Sequence, residues 1–258
     1  MAVSNGIPFV AGGIPNDGMN NRMLKRDPLS RQIFIDVMRI NGFIQKGIRL
    51  KDIPSAYFHA EDQDCANTIQ VMACFYQLER ALDQLDFEKA NELVDEMVRH
   101  KKDMVYLYQQ ELTCEEIFLR LIRQTPKQDI ARLLTTDMQK YIRLNQSYRP
   151  SALRLAYTLA KLYEQDEAKA EQLYQQFSRL CTRYHLLGEI EGEKTLIEYV
   201  KLFQMGDATF GARLDLLKEQ YEKLEEQRKQ IEATMDRLHY KISKYEEAVK
   251  TGKLVWDR

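Results

Sequence analysis

From Gln220 to Ile242 the chain reads QYEKLEEQRKQIEATMDRLHYKI, with no proline, no glycine and a high density of charge. A helix this polar cannot be buried in a globular core. Counted at alternating three- and four-residue intervals, the surrounding sequence sets Phe210, Leu214, Leu217, Tyr221, Leu224, Arg228, Ile231, Met235, Leu238, Ile242, Tyr245 and Val249 on one seam, and Arg228 alone breaks its apolar run. A two-in-seven pattern sustained this far predicts a coiled coil. At ~1.5 Å per residue the helix would be roughly 60 Å long. Left alone, its seam is wet. No other segment is long enough to cover it, so the pattern predicts a homodimer with these twelve positions as its interface. Burial of about ten large side chains at ~1.5–3 kcal/mol each outweighs the ordering of residues that are already helical. Arg228 has two readings. It fixes register as a lone polar seam residue, with Glu225 or Glu232 as counter-charges, or it snorkels its head into water. The pattern by itself does not separate parallel from antiparallel pairing.

The rest of the chain is also helical in pattern, and the fold class is all-α. The opening MAVSNGIPFVAGGIPNDGMNN is rich in Gly, Pro and Asn and predicts an extended N-terminal arm over 1–26, with a tight turn at IPNDG around Gly18. A helix is expected to start at Ser30 as N-cap and to end near Gly47. Amphipathic helices are then predicted over Asp64–Leu85, Phe87–Lys101, Met104–Arg123, Gln128–Leu144, Ser151–Glu164, Glu167–Tyr184 and Glu189–Gln204. Short links make neighbours antiparallel. The resulting domains are the arm, a helical-hairpin domain over 27–205, the coiled-coil helix over 206–249 and a tail over 250–258. In that tail Trp256 is expected to cap the end of the coil.

Composition narrows the function classes. With 38 basic and 39 acidic residues the net charge is −1, so no global field favours nucleic acid or an anionic membrane. No run approaches the ~18 apolar residues of a membrane span, and no signal-peptide pattern opens the chain. Cys65, Cys74, Cys114 and Cys181 match no zinc spacing and read as structural thiols of a reducing, cytoplasmic compartment. His59, His100, His185 and His239 form no i,i+4 pair. The acidic pairs Glu115-Glu116, Glu225-Glu226 and Glu246-Glu247 diverge around a helix and read as solvated faces. No P-loop, HExxH, GxSxG or dinucleotide glycine pattern is present, so no enzyme, cofactor or metal site is expected. Tyrosines crowd the helices at Tyr106, Tyr108, Tyr141, Tyr148, Tyr157, Tyr163 and Tyr174, as core filling or as a peptide-facing surface.

Three resemblances add to this. ERALDQLDFEKANELVDEM and LAKLYEQDEAKAEQLYQQF each run helix, acidic turn, helix, with a small Ala90 or Ala170 in the second helix. They resemble the join inside tetratricopeptide-type hairpins, without that family's 34-residue repeat. The C-terminal stretch carries Gly206-Asp207, Thr209, Arg213, Leu216-Leu217 and YKISKYE, and resembles the linker helix of MerR-type transcriptional regulators. That resemblance implies an antiparallel dimer; the family's DNA-binding domain has no counterpart at this N-terminus. NGIPFVAGGIPNDGMN with KGIRLKDIP resembles the cytosolic helical tail of bacterial site-2-protease-like membrane proteins, a likeness that implies a regulatory part without the zinc enzyme. Two unrelated likenesses also fit a fusion with its junction near Val200–Gly206. The expectation is a non-enzymatic scaffold that homodimerises and presents its hairpin domain to a protein or peptide. The alternatives are a MerR-related regulator without its own DNA-binding domain, and the soluble part of a metallopeptidase-like protein.

Overall fold

The computed structural model describes residues 8, 10–11, 14–58, 67–204 and 210–256. A two-residue antiparallel pairing, β1 (Val10–Ala11) with β2 (Ile14–Pro15), precedes a series of helices. These are α1 (Asp17–Arg26), α2 (Pro28–Gln45), α3 (Thr68–Asp83), α4 (Phe87–Arg99), α5 (Tyr106–Ile122), α6 (Lys127–Leu133), α7 (Thr136–Asn145), α8 (Pro150–Thr158), α9 (Glu167–Cys181), α10 (Leu187–Gln204) and α11 (Phe210–Thr251). No helix among the described residues is long and apolar enough to cross a membrane. The chain divides into two compact units, 1–206 and 207–258.

Local chemistry explains where the elements depart from their expected bounds. The arm is not extended throughout: Asn16 caps α1 by accepting the Met19 N–H at 2.9 Å, so Asp17 and Gly18 enter a helix rather than a turn. The cap of α2 is Asp27, not Ser30. Asp27 accepts the Leu29 N–H at 3.0 Å, and Pro28 takes the first helical position, where its missing N–H costs nothing. Ser30 is buried one turn in, donating to Asp27 Oδ2 at 2.5 Å and accepting from Asn67 at 3.0 Å. Asn67 itself caps α3, so one chain of hydrogen bonds ties the starts of α2 and α3 together. Gly47, at φ +85°, closes α2 where the sequence places its end. The expected helix over Gln128–Leu144 is two helices, α6 and α7, because Thr135 turns its side chain to accept the Met138 N–H and starts a new one. After Thr158 the helix widens into a π turn over Leu159–Glu164.

Unit one is built from hairpins with a repeated corner. Leu85, Gln124 and Gln165 each adopt the left-handed conformation just past a first helix, 39 and 41 residues apart. Asp86 and Asp166 follow two of these corners and cap the next helix through Lys89 and Lys169 N–H groups. Ala90 and Ala170 then pack with no exposed surface, as close-packing positions should. Successive helices α2 to α5 pack on their neighbours, and α5 on α8. The interior is apolar along Ile33, Val37 and Ile69 between α2 and α3, and along Ile40, Ile44, Leu50 and Phe58 where the connector returns.

Helix α10 closes the unit by packing on α2, α3 and α8. Two glycines allow its approach. A Cβ at Gly188 would lie 2.1 Å from the Ile48 carbonyl oxygen, and one at Gly192 would lie 2.8 Å from the Asp83 carboxylate. Gly42 on α2 is the contrasting case, with nothing within 4 Å of a Cβ. Unit two is α11 with a short hook. Gly252, at φ +71°, stops the helix, and Trp256 returns to pack 6.0 Å from the Tyr240 ring and edge-on to Tyr245 at 5.9 Å.

This packing predicts opposite outcomes for two alanine substitutions. Gly188→Ala is expected to cost about 1–3 kcal/mol or more by overpacking against backbone, whereas Gly42→Ala should stabilise by up to ~1 kcal/mol through helix propensity. Urea unfolding midpoints of the two variants test this.

Candidate functional site

Two arrangements stand out, and the first is the seam of α11. Leu214, Leu217, Tyr221, Ile231, Met235, Leu238, Ile242, Tyr245 and Val249 are all exposed, with Tyr221 at 64% and Val249 at 87%. They lie along one continuous helix, as the heptad pattern requires. The side chains of Phe210 and Leu224 fall outside the described residues. Arg228 is paired within its own helix: its guanidinium reaches Glu225 at 3.0 and 3.1 Å and Glu232 at 2.6 Å. Those are the two acids the sequence singled out. The pairs lower the Glu225 carboxyl and raise the Arg228 guanidinium from their ordinary values.

The second arrangement lies inside unit one, between α3, α5, α8 and α10, and sequence reasoning missed it. Its centre is Arg154 on α8, 1% exposed. Its guanidinium stacks over the Phe118 ring at 4.2 Å and donates to both oxygens of Glu115 at 2.5 and 2.6 Å. On the other side its Nε lies 3.4 Å from Glu193 Oε2, without hydrogen-bond geometry for either atom. Asp83, at the end of α3, accepts from Arg49 Nε at 3.0 Å and from the Lys51 N–H at 3.0 Å. Arg149 pairs with Glu111, which also accepts from the Tyr141 hydroxyl at 3.2 Å. Glu79, Glu189 and Ser151 complete the wall of a cavity of about 30 Å³, room for about one water and too small for a substrate.

The electrostatics follow from burial. Burial first, then Glu189, Glu115 and Glu193, pushes the Glu79 carboxyl well above the usual range. Glu193 is pushed up to about 8 by burial and by Glu115, Glu189 and Asp83, against the pull of Arg154. Glu189 is also raised by burial, although Tyr184 donates to it at 2.9 Å and Arg149 and Arg154 oppose the shift. The expectation that Glu115 lies on a solvated face is therefore corrected: Glu115 is buried on Arg154, while its neighbour Glu116 pairs with Arg120 near the surface. Adjacent residues do diverge on a helix, and here one of them diverges inward. The missed signal is GEIEGE over 188–193. Four-residue spacing sets Gly188 and Gly192 on one face and Glu189 and Glu193 beside it.

The remaining sequence candidates separate. Cys74 and Cys114 are buried, and burial pushes the Cys114 thiol up to about 12. Cys181 is half-buried and raised for the same reason. His100 lies 3.5 Å from Glu96, and His185 and His239 are exposed. His59 and Cys65 fall outside the described residues. Among the described residues no group of three or more His, Cys, Asp or Glu side chains converges as a metal site would. The tyrosines divide between the two readings: Tyr157 is core, while Tyr106 and Tyr148 are exposed. A recess of about 750 Å³ between the α5–α6 corner and the π turn is lined by Gln124, Lys127, Lys161, Tyr163 and Phe203. Lys127 already donates to the Tyr163 carbonyl at 2.7 Å, and Lys161 pairs with Glu167.

No protein family, curated protein or solved structure matches the chain.

Removing one partner of a buried ion pair strands the other. Arg154→Met is expected to cost about 3–5 kcal/mol, and Arg154→Met combined with Glu115→Gln to recover part of that loss. Urea denaturation of the single and double variants measures the difference.

Proposed function

We propose that this chain is a non-enzymatic interaction module that homodimerises through α11 and presents its helical unit to a protein or peptide. The supporting observation is the row of nine exposed apolar seam side chains on one helix. Burying the exposed half of each on two copies contributes roughly 15–20 kcal/mol, above the association cost of ~4–15 kcal/mol. Arg228 fits this reading because its own Glu225 and Glu232 neutralise it, so its stem can lie along the seam without stranding a charge. In an antiparallel pair centred near Arg228 the two Arg228 side chains come close, and each carries its own Glu225 and Glu232 as counter-charges.

The partner surface lies on the outside of unit one. The face shared by α3 and α8 is covered by α10 from within the chain. On α2, by contrast, Phe34, Ile35 and Met38 are exposed beside Arg31. That combination suits an apolar, acidic helix of a partner. The thiols Cys114 and Cys181 fit a reducing, cytoplasmic setting.

Light scattering behind size exclusion, at micromolar concentration, should give twice the 30.4 kDa chain mass. Leu217→Glu with Leu238→Glu should give the single mass while leaving the thermal transition of unit one unchanged. A wild-type chain that stays single at high micromolar concentration contradicts the reading.

A further inference from the structure

The buried cluster has a charge count that side chains alone do not balance. Three carboxylates have a dedicated arginine: Asp83 with Arg49, Glu111 with Arg149, and Glu115 with Arg154. Three more carboxyl groups, Glu79 from α3 and Glu189 and Glu193 from α10, face the same interior and have no arginine of their own: they share Arg149 and Arg154 with those partners, Arg154 Nε lying 3.4 Å from Glu193 Oε2. Tyr184 donates its hydroxyl to Glu189 and Ser151 lines the same cavity, while the nearby cations sit on Asp83's side: Arg80 beside Asp83 and over the Phe58 ring, and the buried Lys51, whose backbone N–H donates to Asp83. The cavity is too small for an organic cation, and among the described residues no carboxylate set forms a metal site. Six carboxyl groups thus share four arginines and Lys51, and protons make up the difference.

We propose that α10 is docked by protons: the carboxyl groups of Glu79, Glu189 and Glu193 must be protonated for α10 to seat against α3 and α8, and alkaline pH releases that helix from the bundle. Two of the three groups lie on α10, so the repulsion that follows ionisation falls across the α10 interface and not within α3, α5 or α8. The backbone gives no slack, because Gly188 and Gly192 already bring α10 to contact distance of the Ile48 carbonyl and the Asp83 carboxylate. Ionised side chains in that gap therefore cannot be relieved by a small shift; the helix leaves or stays. Arg154 can absorb only part of the change, since Glu115 already holds one end of its guanidinium and Glu193 alone of the three lies against its Nε.

The sign follows from linkage. Glu193 is raised from 4.5 to about 8 in the folded chain, and Glu79 and Glu189 are raised as well. The folded state therefore binds more protons than the unfolded state between those limits, and stability falls as pH rises through that window. The contribution is complete at acidic pH and lost above about pH 8.

Hydrogen exchange of the full chain, corrected for intrinsic rates, tests the proposal. Protection of amides in residues 190–200 should fall about tenfold or more between roughly pH 6 and pH 9, while α5 keeps its protection. Glu79→Gln with Glu193→Gln should flatten that pH dependence. Protection of α10 that is insensitive to pH, or that falls in step with α5, overturns it, as does an unchanged profile in the double variant. Should the variant not fold, the wild-type chain with carbon-13 in its glutamate carboxyls decides. A glutamate titrating near pH 8 supports the proposal, and completion of every glutamate titration below about pH 6 overturns it.

Discussion

The constraint on which unit one depends is the burial of Arg154. A guanidinium 1% exposed must be paired, because leaving it alone in a low-dielectric interior costs several kcal/mol. Glu115 supplies the pair, and Phe118 supplies a flat surface beneath it. Those two residues come from α5, so the arginine fixes α8 against α5. Glu193 approaches from the opposite side and brings α10 into the same contact. One buried cation thus sets three helices, and the apolar core closes around them with Leu112, Ile117, Leu153 and Ile197. The cost is a local excess of carboxyl groups, which this interior tolerates only while some of them are neutral.

Unit two rests on different physics. Its ion pairs are exposed, as at Arg228, and such pairs contribute ~0–1 kcal/mol each. Its apolar residues form a stripe and not a core. A 42-residue helix of this kind gains its tertiary stability from whatever covers that stripe. The hook at Trp256 covers Tyr240 and part of Tyr245, and leaves Leu238, Ile242 and Val249 open. Within one chain, then, the first unit buries charge and the second exposes hydrocarbon. The first is suited to hold a shape and the second to hold a neighbour.

Much of this was legible in the residues. Heptad spacing located α11 and its seam, and three-to-four spacing located the hairpins, because burial of one helix face leaves a periodic record. Ala90 and Ala170 were legible for the same reason. Caps were less so. Ser30, Asp27 and Asn16 are all good capping residues, and only Pro28 and the depth at which Ser30 is buried decide between them. The break at Thr135 lay inside a run with helical periodicity on both sides. The carboxylate cluster was not legible. Glu115 and Arg154 are 39 residues apart, and a glutamate bound for the interior looks like one bound for water until its partner is placed. The GEIEGE run was the available signal, since paired glycines within a helix mark a close approach.

The most direct test of the charge account counts protons. Native chain in weakly buffered solution near pH 7.5 is unfolded by urea, and the protons exchanged are titrated. Because the surplus carboxyls hold protons only when folded, unfolding should release more than about one proton per chain. No net release, or an uptake of protons, would contradict the claim that protons balance this interior.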